Sequence, residues 1–293
     1  MNSFTISQLQ QFSGIKAHTI RMWEQRYNAL NPNRTDGNTR YYDNSQLRRL
    51  LNIVSLMNTE FKVSELCCMT DDELYKHLDK QLNSSVVTDE KTEYFVSQLI
   101  ASAVYYDEVN FDKIFSNAIL RFGLKETYKQ VIYPLLFRIG LMWANSTFPP
   151  AQEHFISNLI RQKLFAAIDA LPPAKQNNDL WLLLLPENEF HEISLLFAHY
   201  MLKYEGKKVI FLGCNVPIEV VNSSFNNIKP THLLFFLVHH SDIESAQKYL
   251  NDLKSAFPDT KIFYSGNEKL MDKIVPVINS KWVSTVQIFE AEL

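Results

Sequence analysis

The spacing of hydrophobic and polar residues changes along the chain, and its first part has short helical patterns. Apolar residues recur three and four positions apart on either side of a Ser13-Gly14 turn: Ile6, Leu9 and Phe12, then Ile20, Trp23 and Tyr27. This pattern predicts two short helices, the second from Lys16 to Tyr27. Two such helices joined by a glycine-containing turn form a helix-turn-helix, whose second helix enters the major groove of DNA.

Residues 33–42 are polar and β-prone, and they predict a pair of short strands around Asp36-Gly37-Asn38. We expect Gly37 to supply the positive φ that a tight hairpin needs. Arginines on both strands fit phosphate contact by a wing. Three further helices are expected. The first covers residues 44–58 and is capped by Asn44 or Ser45, and the second covers residues 63–69. The third is capped by Asp71-Asp72-Glu73.

The middle of the chain has helical periodicity throughout. Four apolar-periodic stretches lie near residues 92–106, 108–121, 125–144 and 149–171, and Pro172-Pro173 ends the last. They predict a four-helix bundle. The polar stretch before it, residues 81–91, is the expected linker.

The last part alternates short apolar runs with helical patterns. Strands are predicted at residues 180–185, 208–213, 232–238 and 261–264, with a fifth from the β-rich run 282–288. Helices are predicted at residues 193–203, after Pro217 and at 242–256. Strands that alternate with helices form a parallel, Rossmann-like sheet, and ligands bind at the carboxyl ends of its strands.

The charge is unevenly distributed, although the formal net charge is only −3. Residues 1–62 carry eight basic and four acidic side chains, so the remainder is acidic. A basic head on an acidic body fits a DNA reader. The N-terminus lacks the pattern of a signal peptide, and the longest apolar run, Leu180 to Leu185, is too short to cross a bilayer. We expect a cytoplasmic protein without a membrane segment.

The three cysteines cannot all pair within the chain. Adjacent Cys67 and Cys68 in an apolar helix favour core packing over a metal or redox site. His239 and His240 with Asp242 allow a metal site, but a cap on the next helix is favoured. Glu187, Glu189 and Glu192 form a carboxylate cluster without a nucleophile, which does not indicate a hydrolase.

The motifs of the first region carry a family resemblance. The segments TIRMWEQRY (residues 19–27), P-x-R-T-x-G-x-x-R-Y-Y (32–42) and FKVSEL (61–66) resemble the N-terminal winged-helix domain of MerR-family transcription regulators. The resemblance implies base contacts by Lys16, Ala17 and His18 at the start of the recognition helix. It also implies contact with the DNA backbone by four arginines and a tyrosine: Arg21, Arg26, Arg34, Arg40 and Tyr41. Such readers bind pseudo-palindromic duplex sites as dimers.

Two segments of the second half resemble the sensor of the light-responsive, cobalamin-binding branch of these regulators. Nine residues separate Trp143 from the pair Glu153-His154, and Glu189-Phe190-His191 follows the first buried strand. The resemblance implies that Trp143, Glu153 and His154 line the pocket for the adenosyl group of adenosylcobalamin. It makes His191 the lower ligand to cobalt, with Glu189 close enough to reach its ring.

Some positions depart from that branch. Ser194, Leu237 and Ser265 stand where the family has small residues that admit the nucleotide tail, so Ser194 and Leu237 are expected to fill its channel. Ala144 stands where light-switching relatives can have a second histidine ligand. A light-driven exchange of ligands is therefore not expected.

The sequence predicts a transcription regulator and not an enzyme. Its expected parts are a head (1–80), a linker (81–91), a bundle (92–175) and a cobalamin-binding-like sheet domain (178–293). Cobalamin occupancy would change the oligomer, a dimer or tetramer, and thereby the affinity for an operator. Two alternatives are open. One is a regulator that has lost cobalamin and uses the module for dimerisation, partner binding or another ligand. The other is a corrinoid-carrying methyl-transfer protein, which has no reason to carry a wing.

Overall fold

The computed structural model describes residues 3–35, 37–57, 59–83, 92–144, 150–174, 179–224, 228–238 and 242–293. The chain divides into two compact units, Met1–Leu159 and Ile160–Leu293. The first is mainly helical and the second contains a five-stranded parallel sheet, which confirms the predicted fold class. Within the described residues, no helix is both long enough and apolar enough to cross a membrane.

The head contains the predicted helix-turn-helix and wing. Its elements are α1 (Ile6–Ser13), α2 (Ala17–Tyr27), β1 (Asn33–Arg34), β2 (Arg40–Tyr41), α3 (Asn44–Leu56), α4 (Val63–Cys68) and α5 (Asp71–Asn83). Gly14 ends α1 with φ 73°, and its N–H donates to the Gln10 carbonyl at 2.8 Å. The Gln10 side chain then accepts from the Ala17 N–H at 2.8 Å, so one residue links the end of α1 to the start of α2.

Three local predictions in the head were wrong. Asn38, with φ 61°, takes the left-handed conformation in the wing and Gly37 does not, because asparagine tolerates this region through local hydrogen bonds. Asp43 caps α3 in place of Asn44 or Ser45, and its carboxylate accepts from the Gln46 N–H at 3.0 Å. Helix α5 continues to Asn83, so the predicted linker starts within a helix.

The two adjacent cysteines differ in exposure. Cys67 is buried in α4 and Cys68 is exposed, and both are unpaired. Burial raises the pKa of the Cys67 thiol to about 11. Because the thiolate is the reactive form, Cys67 acts as a small apolar core residue.

The bundle follows the predicted stretches closely. Its elements are α6 (Thr92–Tyr105), α7 (Glu108–Thr127), a π-helical segment (Tyr128–Ile132), α8 (Tyr133–Ala144) and α9 (Pro150–Asp169). Gly123 breaks α7 with φ 73° and ψ 162°, between the two stretches that the apolar pattern separated. A non-glycine residue would be strained at this position.

The head packs directly on the bundle within the first unit. The Gln98 amide of α6 donates to Asn52 Oδ1 (3.2 Å) and Ser55 Oγ (3.0 Å) of α3, and all three residues are buried. Arg138 of α8 forms a two-pronged ion pair with Glu93 of α6, at 2.8 and 2.9 Å. Its guanidinium also donates to the carbonyl of Phe12, in the last turn of α1. These polar contacts fix where the head rests on the bundle.

The second unit is a doubly wound sheet. Its elements are β3 (Leu180–Pro186), α10 (Ile193–Tyr204), β4 (Lys208–Val216), α11 (Ile218–Ser224), β5 (His232–Leu237), α12 (Ile243–Ala256), β6 (Lys261–Gly266), α13 (Glu268–Met271), β7 (Ser280–Trp282) and α14 (Val286–Glu290). The strand order is β4-β3-β5-β6-β7, and every neighbouring pair is parallel. Strands β4 and β5 lie on opposite sides of β3, so the topological switch point, where such sheets bind ligands, lies at the carboxyl end of β3.

The fifth strand is shorter and earlier than predicted. Strand β7 ends at Trp282, and residues 286–290 form α14 instead of continuing the strand. Thr285 Oγ1 accepts from the Ile288 N–H at 3.2 Å and caps this helix. The cap overrides the β-propensity of the run.

Candidate DNA-binding and cofactor sites

Helix α2 presents its basic residues to solvent. Ile20 and Trp23 are buried against the head, whereas a set of polar residues on the same helix or at its start is exposed: Lys16, His18, Arg21 and Arg26. Ala17 is half-buried, and its N–H donates to the Gln10 side chain. This amphipathic arrangement places the predicted base-reading and phosphate-binding side chains on one accessible helix.

The wing contributes two arginines with different surroundings. Arg34 is exposed, and its guanidinium donates to Asn38 Oδ1 at 2.5 Å within the wing. Arg40 Nε lies 3.6 Å from the buried carboxylate of Glu24 on α2, and Tyr41 is half-buried. Arg40 therefore also attaches the wing to the recognition helix.

Glu24 is a functional residue that the sequence reasoning missed. Its carboxylate is buried and accepts from the Tyr42 hydroxyl at 2.5 Å. Burial, followed by the hydrogen bond and charge of Glu24, raises the pKa of Tyr42. The signal was a lone acidic residue in a basic helix, next to the buried Trp23. Glu24 links α2 to the wing through Tyr42 and Arg40.

Glu153 lies in the first turn of α9, and His154 follows it. Glu153 accepts from Ser157 Oγ at 2.6 Å, and its other carboxylate oxygen lies 3.1 Å from His154 Nδ1. The His154 side chain is exposed. Trp143 lies in the last turn of α8, but its side chain and residues 145–149 fall outside the described part of the chain.

Glu189 and His191 form a tight cluster at the carboxyl end of β3. The Glu189 side chain is 0% exposed, and His191 Nδ1 lies 2.6 Å from its Oε1. The same oxygen accepts from the N–H groups of Phe190 (3.0 Å) and His191 (3.1 Å). Glu189 Oε2 accepts from the Val238 N–H at 2.8 Å, just beyond β5. One carboxylate thus joins the two loops at the switch point.

The hydrogen bonds of Glu189 determine the tautomer of His191. An ionised carboxylate only accepts, so Nδ1 donates its proton to Glu189. The Nε2 atom then carries the lone pair, which is the state that a metal requires. The imidazole is 53% exposed. Phe190, which precedes it in the chain, and Val238, whose N–H donates to Glu189, are exposed apolar residues. The cluster therefore offers an oriented nitrogen donor at an apolar edge.

The three carboxylates near this edge have separate roles. Glu189 is buried, Glu187 is exposed, and Glu192 Oε1 lies 3.3 Å from Arg161 Nε. The described residues contain no group of three or more metal-binding side chains. His239 and His240 lie outside the described residues, while Asp242 caps α12 by accepting from the Ser245 N–H at 3.0 Å.

The positions that depart from the cobalamin-binding branch lie behind the same edge. Leu237 is 1% exposed and belongs to the core between the sheet and α12, while Ser194 and Ser265 are partly buried. A Cβ on Gly266 would lie 2.2 Å from the Leu237 carbonyl oxygen, so glycine is required there. In the same core the Tyr249 hydroxyl is buried without a hydrogen-bond partner among the described residues.

Comparison with known protein families finds matches in the head and in the bundle. Residues 4–67 match the family model of the MerR HTH family regulatory protein, and residues 96–167 match the B12 binding domain. These two matches support a MerR-family regulator with a cobalamin-binding module. The predicted winged helix, the bundle and the cofactor class are thereby confirmed at the level of family.

Two curated relatives cover most of this regulator. The HTH-type transcriptional repressor CarH of Myxococcus xanthus is 25% identical over 259 residues, which are 87% of this chain and 86% of that protein. The repressor CarA of the same organism is 26% identical over 249 residues, with coverages of 84% and 81%. Both relatives are repressors and neither name describes an enzyme.

A solved structure supports the fold over much of the chain. The monomethylamine corrinoid protein of Methanosarcina barkeri superposes with a TM-score of 0.56 at 12% identity. The superposition covers 69% of this chain and 98% of that protein. At this identity the likeness shows a shared fold, and it carries no argument about methyl transfer.

Proposed function

We propose that this regulator binds duplex operator DNA through α2 and the wing, and that cobalamin bound to its second half controls that binding. The observation that carries the proposal is the Glu189–His191 pair at the switch point of the sheet. A corrinoid would supply cobalt, which a neutral imidazole can bind, and His191 would hold it. Among the described residues, the cluster provides such a donor with its ring orientation fixed.

The donor set and the apolar edge both fit a corrinoid. His191 would be the lower ligand, and Glu189 positions it. Trp143, Glu153 and His154 are proposed to line the side of the adenosyl group, a role that rests on the family resemblance. The buried hydroxyl of Tyr249 offers a hydrogen-bond partner for a polar group that enters the core.

The nucleotide tail needs space that Leu237 and Ser194 restrict. We predict that Ser194→Gly combined with Leu237→Ser increases corrinoid affinity, because the substitutions remove atoms beside the carboxyl ends of β3 and β5. Affinity is measured by titration followed by absorbance. Leu237→Ala with Ser194 retained is the control for core loosening alone. Weaker binding by the double variant would contradict the channel role.

A regulator that has lost cobalamin is the second candidate, and the burial of Leu237 in the core favours it. Its signature is DNA binding without corrinoid retention. A corrinoid-carrying methyl-transfer protein is disfavoured, because the MerR-type head has no role in such chemistry. We infer that the chain has no catalytic activity, and its cytoplasmic location stays a prediction.

The wing gives a test of the DNA-binding part. We predict that Arg34→Ala weakens binding to specific and unrelated duplexes alike and lowers the slope of log K against log salt by about one unit. The reason is that an exposed wing arginine contacts a phosphate and not a base. Fluorescence anisotropy at several salt concentrations measures both quantities.

Lys248→Ala, which removes an exposed charge from α12, is the control and should leave the slope unchanged. A loss confined to the specific operator, with an unaltered slope, would assign Arg34 to base reading instead.

The coupling between corrinoid binding and operator binding is tested with the full chain in the dark. We propose a pseudo-palindromic operator, a dimer or tetramer, and domain boundaries near residues 80, 92, 175 and 178. Adenosylcobalamin should change both the oligomer in sedimentation and the operator affinity in gel shift. Corrinoid binding that alters neither would refute the proposed control.

A further inference from the structure

A cleft lies within the first unit, on the surface where the head meets the bundle. It has a volume of about 150 Å³ and is lined by α3 and α5 of the head and by α6 and α7 of the bundle. None of its lining residues belongs to the DNA-binding or corrinoid sites described above. The cleft therefore needs a separate explanation.

A cation lies at the cleft between two aromatic rings. The Arg48 guanidinium carbon lies 4.6 Å from the ring centroid of Tyr105 and 5.5 Å from that of Tyr75. Within the described part of the chain, Arg48 forms no ion pair. Stacking fixes a guanidinium without neutralising it, so its N–H groups can bind a carboxylate.

The remaining charges at the cleft also favour an anion. Lys113 of α7 lines it and adds a second cation. Asp107 is the one acidic residue of the lining, and its carboxylate already accepts from the Asn110 N–H at 3.0 Å as the cap of α7. The lining therefore has a net positive charge.

The lining of the cleft includes both polar and apolar side chains. Gln98, Asn52 and Ser102 are buried, and Asn110 Nδ2 donates to Ser102 Oγ at 2.9 Å. The Gln98 amide bonds to Asn52. Apolar side chains complete the walls: Leu78, Ala101 and Ile114. Apolar walls with a few converging polar groups are typical of small-molecule sites.

We propose that this cleft binds a single-ring aromatic carboxylate. Its volume equals that of an engineered apolar cavity, about 150 Å³, that holds benzene. The ring would pack against the tyrosines and the aliphatic wall, and its carboxylate would bind Arg48. A hydroxyl on the ring would form hydrogen bonds with the side chains of Gln98, Asn52 or Ser102.

The ligand would contact the head and the bundle at the same time. The cleft is bordered by the Gln98–Asn52 hydrogen bond that joins α6 to α3. A bound ligand adds contacts across this junction and stabilises the docked head. The cleft would thus be a second effector site, independent of cobalamin.

The test is calorimetric titration of the full chain, without corrinoid, with 4-hydroxybenzoate as the probe. We expect saturable binding of one molecule per chain. Arg48→Gln should weaken it by roughly 10-fold or more, because a charge-assisted hydrogen bond is lost. Lys76→Gln removes an exposed charge from α5 next to Tyr75 and should bind as the unaltered chain does. The uncharged analogue 4-hydroxybenzamide should bind at least about 10-fold more weakly.

Several outcomes would overturn the proposal. They are no saturable binding, equal affinity for the acid and the amide, or equal affinity in Arg48→Gln. Chemical-shift mapping on the unaltered chain is independent of any variant. It should show shifts at Ser102 and Asn110, and shifts confined to other regions would also refute the site. His191→Ala should bind the probe normally, which separates this site from the corrinoid site.

Discussion

His191→Ala should abolish stable corrinoid uptake while leaving the fold and DNA binding intact. The imidazole is half-exposed at the carboxyl edge of the sheet, so its removal leaves no buried cavity. It removes the nitrogen that is proposed to bind cobalt and whose ring Glu189 holds. We expect a loss larger than the roughly 10- to 100-fold that follows removal of a ligand's hydrogen-bond partner.

The measurement is the absorbance spectrum after incubation in the dark with adenosylcobalamin and desalting. His77→Ala, which removes a histidine from α5, is the matched control and should retain the spectrum. Circular dichroism and operator binding confirm that His191→Ala is folded. Equal retention by His191→Ala and the unaltered chain would exclude His191 as the ligand. Retention by neither the unaltered chain nor the control would favour the regulator that has lost its cofactor.

The local elements could be read from the sequence because short-range physics decides them. Gly14 ends α1 in the left-handed region, and the unbroken apolar run after residue 179 became the interior strand β3. Gly123 separates two helical stretches by its backbone alone. Each of these signals lies within a few residues of the element that it defines.

The errors came from side-chain hydrogen bonds that compete with propensity. Asn38 took the position expected for glycine, Asp43 capped α3 in place of its neighbours, and Thr285 began a helix where a strand was predicted. Asp43 and Thr285 each accept from a backbone N–H, and the Asn38 side chain accepts from Arg34 within the wing. Composition and periodicity do not contain that information.

The geometry around Glu189 could be predicted only in part, because some of its contacts are long-range. His191 and Glu189 are two positions apart, so their pairing could be expected. The backbone N–H of Val238 comes from a strand end 49 positions away, and only the sheet order brings it to Glu189. Arg48 and Tyr105 meet for the same reason, through packing of α3 on α6.

Glu189→Gln should destabilise the second unit more than any other single change near the site. Its Oε1 accepts from two backbone N–H groups and from the His191 ring, and its Oε2 accepts from the Val238 N–H. At either oxygen position, the amide nitrogen of glutamine would point its own N–H groups at an N–H donor. At a position that is 0% exposed, the buried N–H groups left unpaired would cost about 2 kcal/mol or more.

The expected result is a lower unfolding midpoint in urea for the second unit together with roughly 10- to 100-fold weaker corrinoid binding, since His191 loses its orientation. Glu187→Gln makes the same chemical change at an exposed position two residues earlier and should alter neither quantity. If Glu189→Gln were as stable as Glu187→Gln but failed to bind corrinoid, Glu189 would act on the cofactor directly. If it bound corrinoid normally despite lower stability, the carboxylate would serve the loop junction alone, and His191 would be oriented by other contacts.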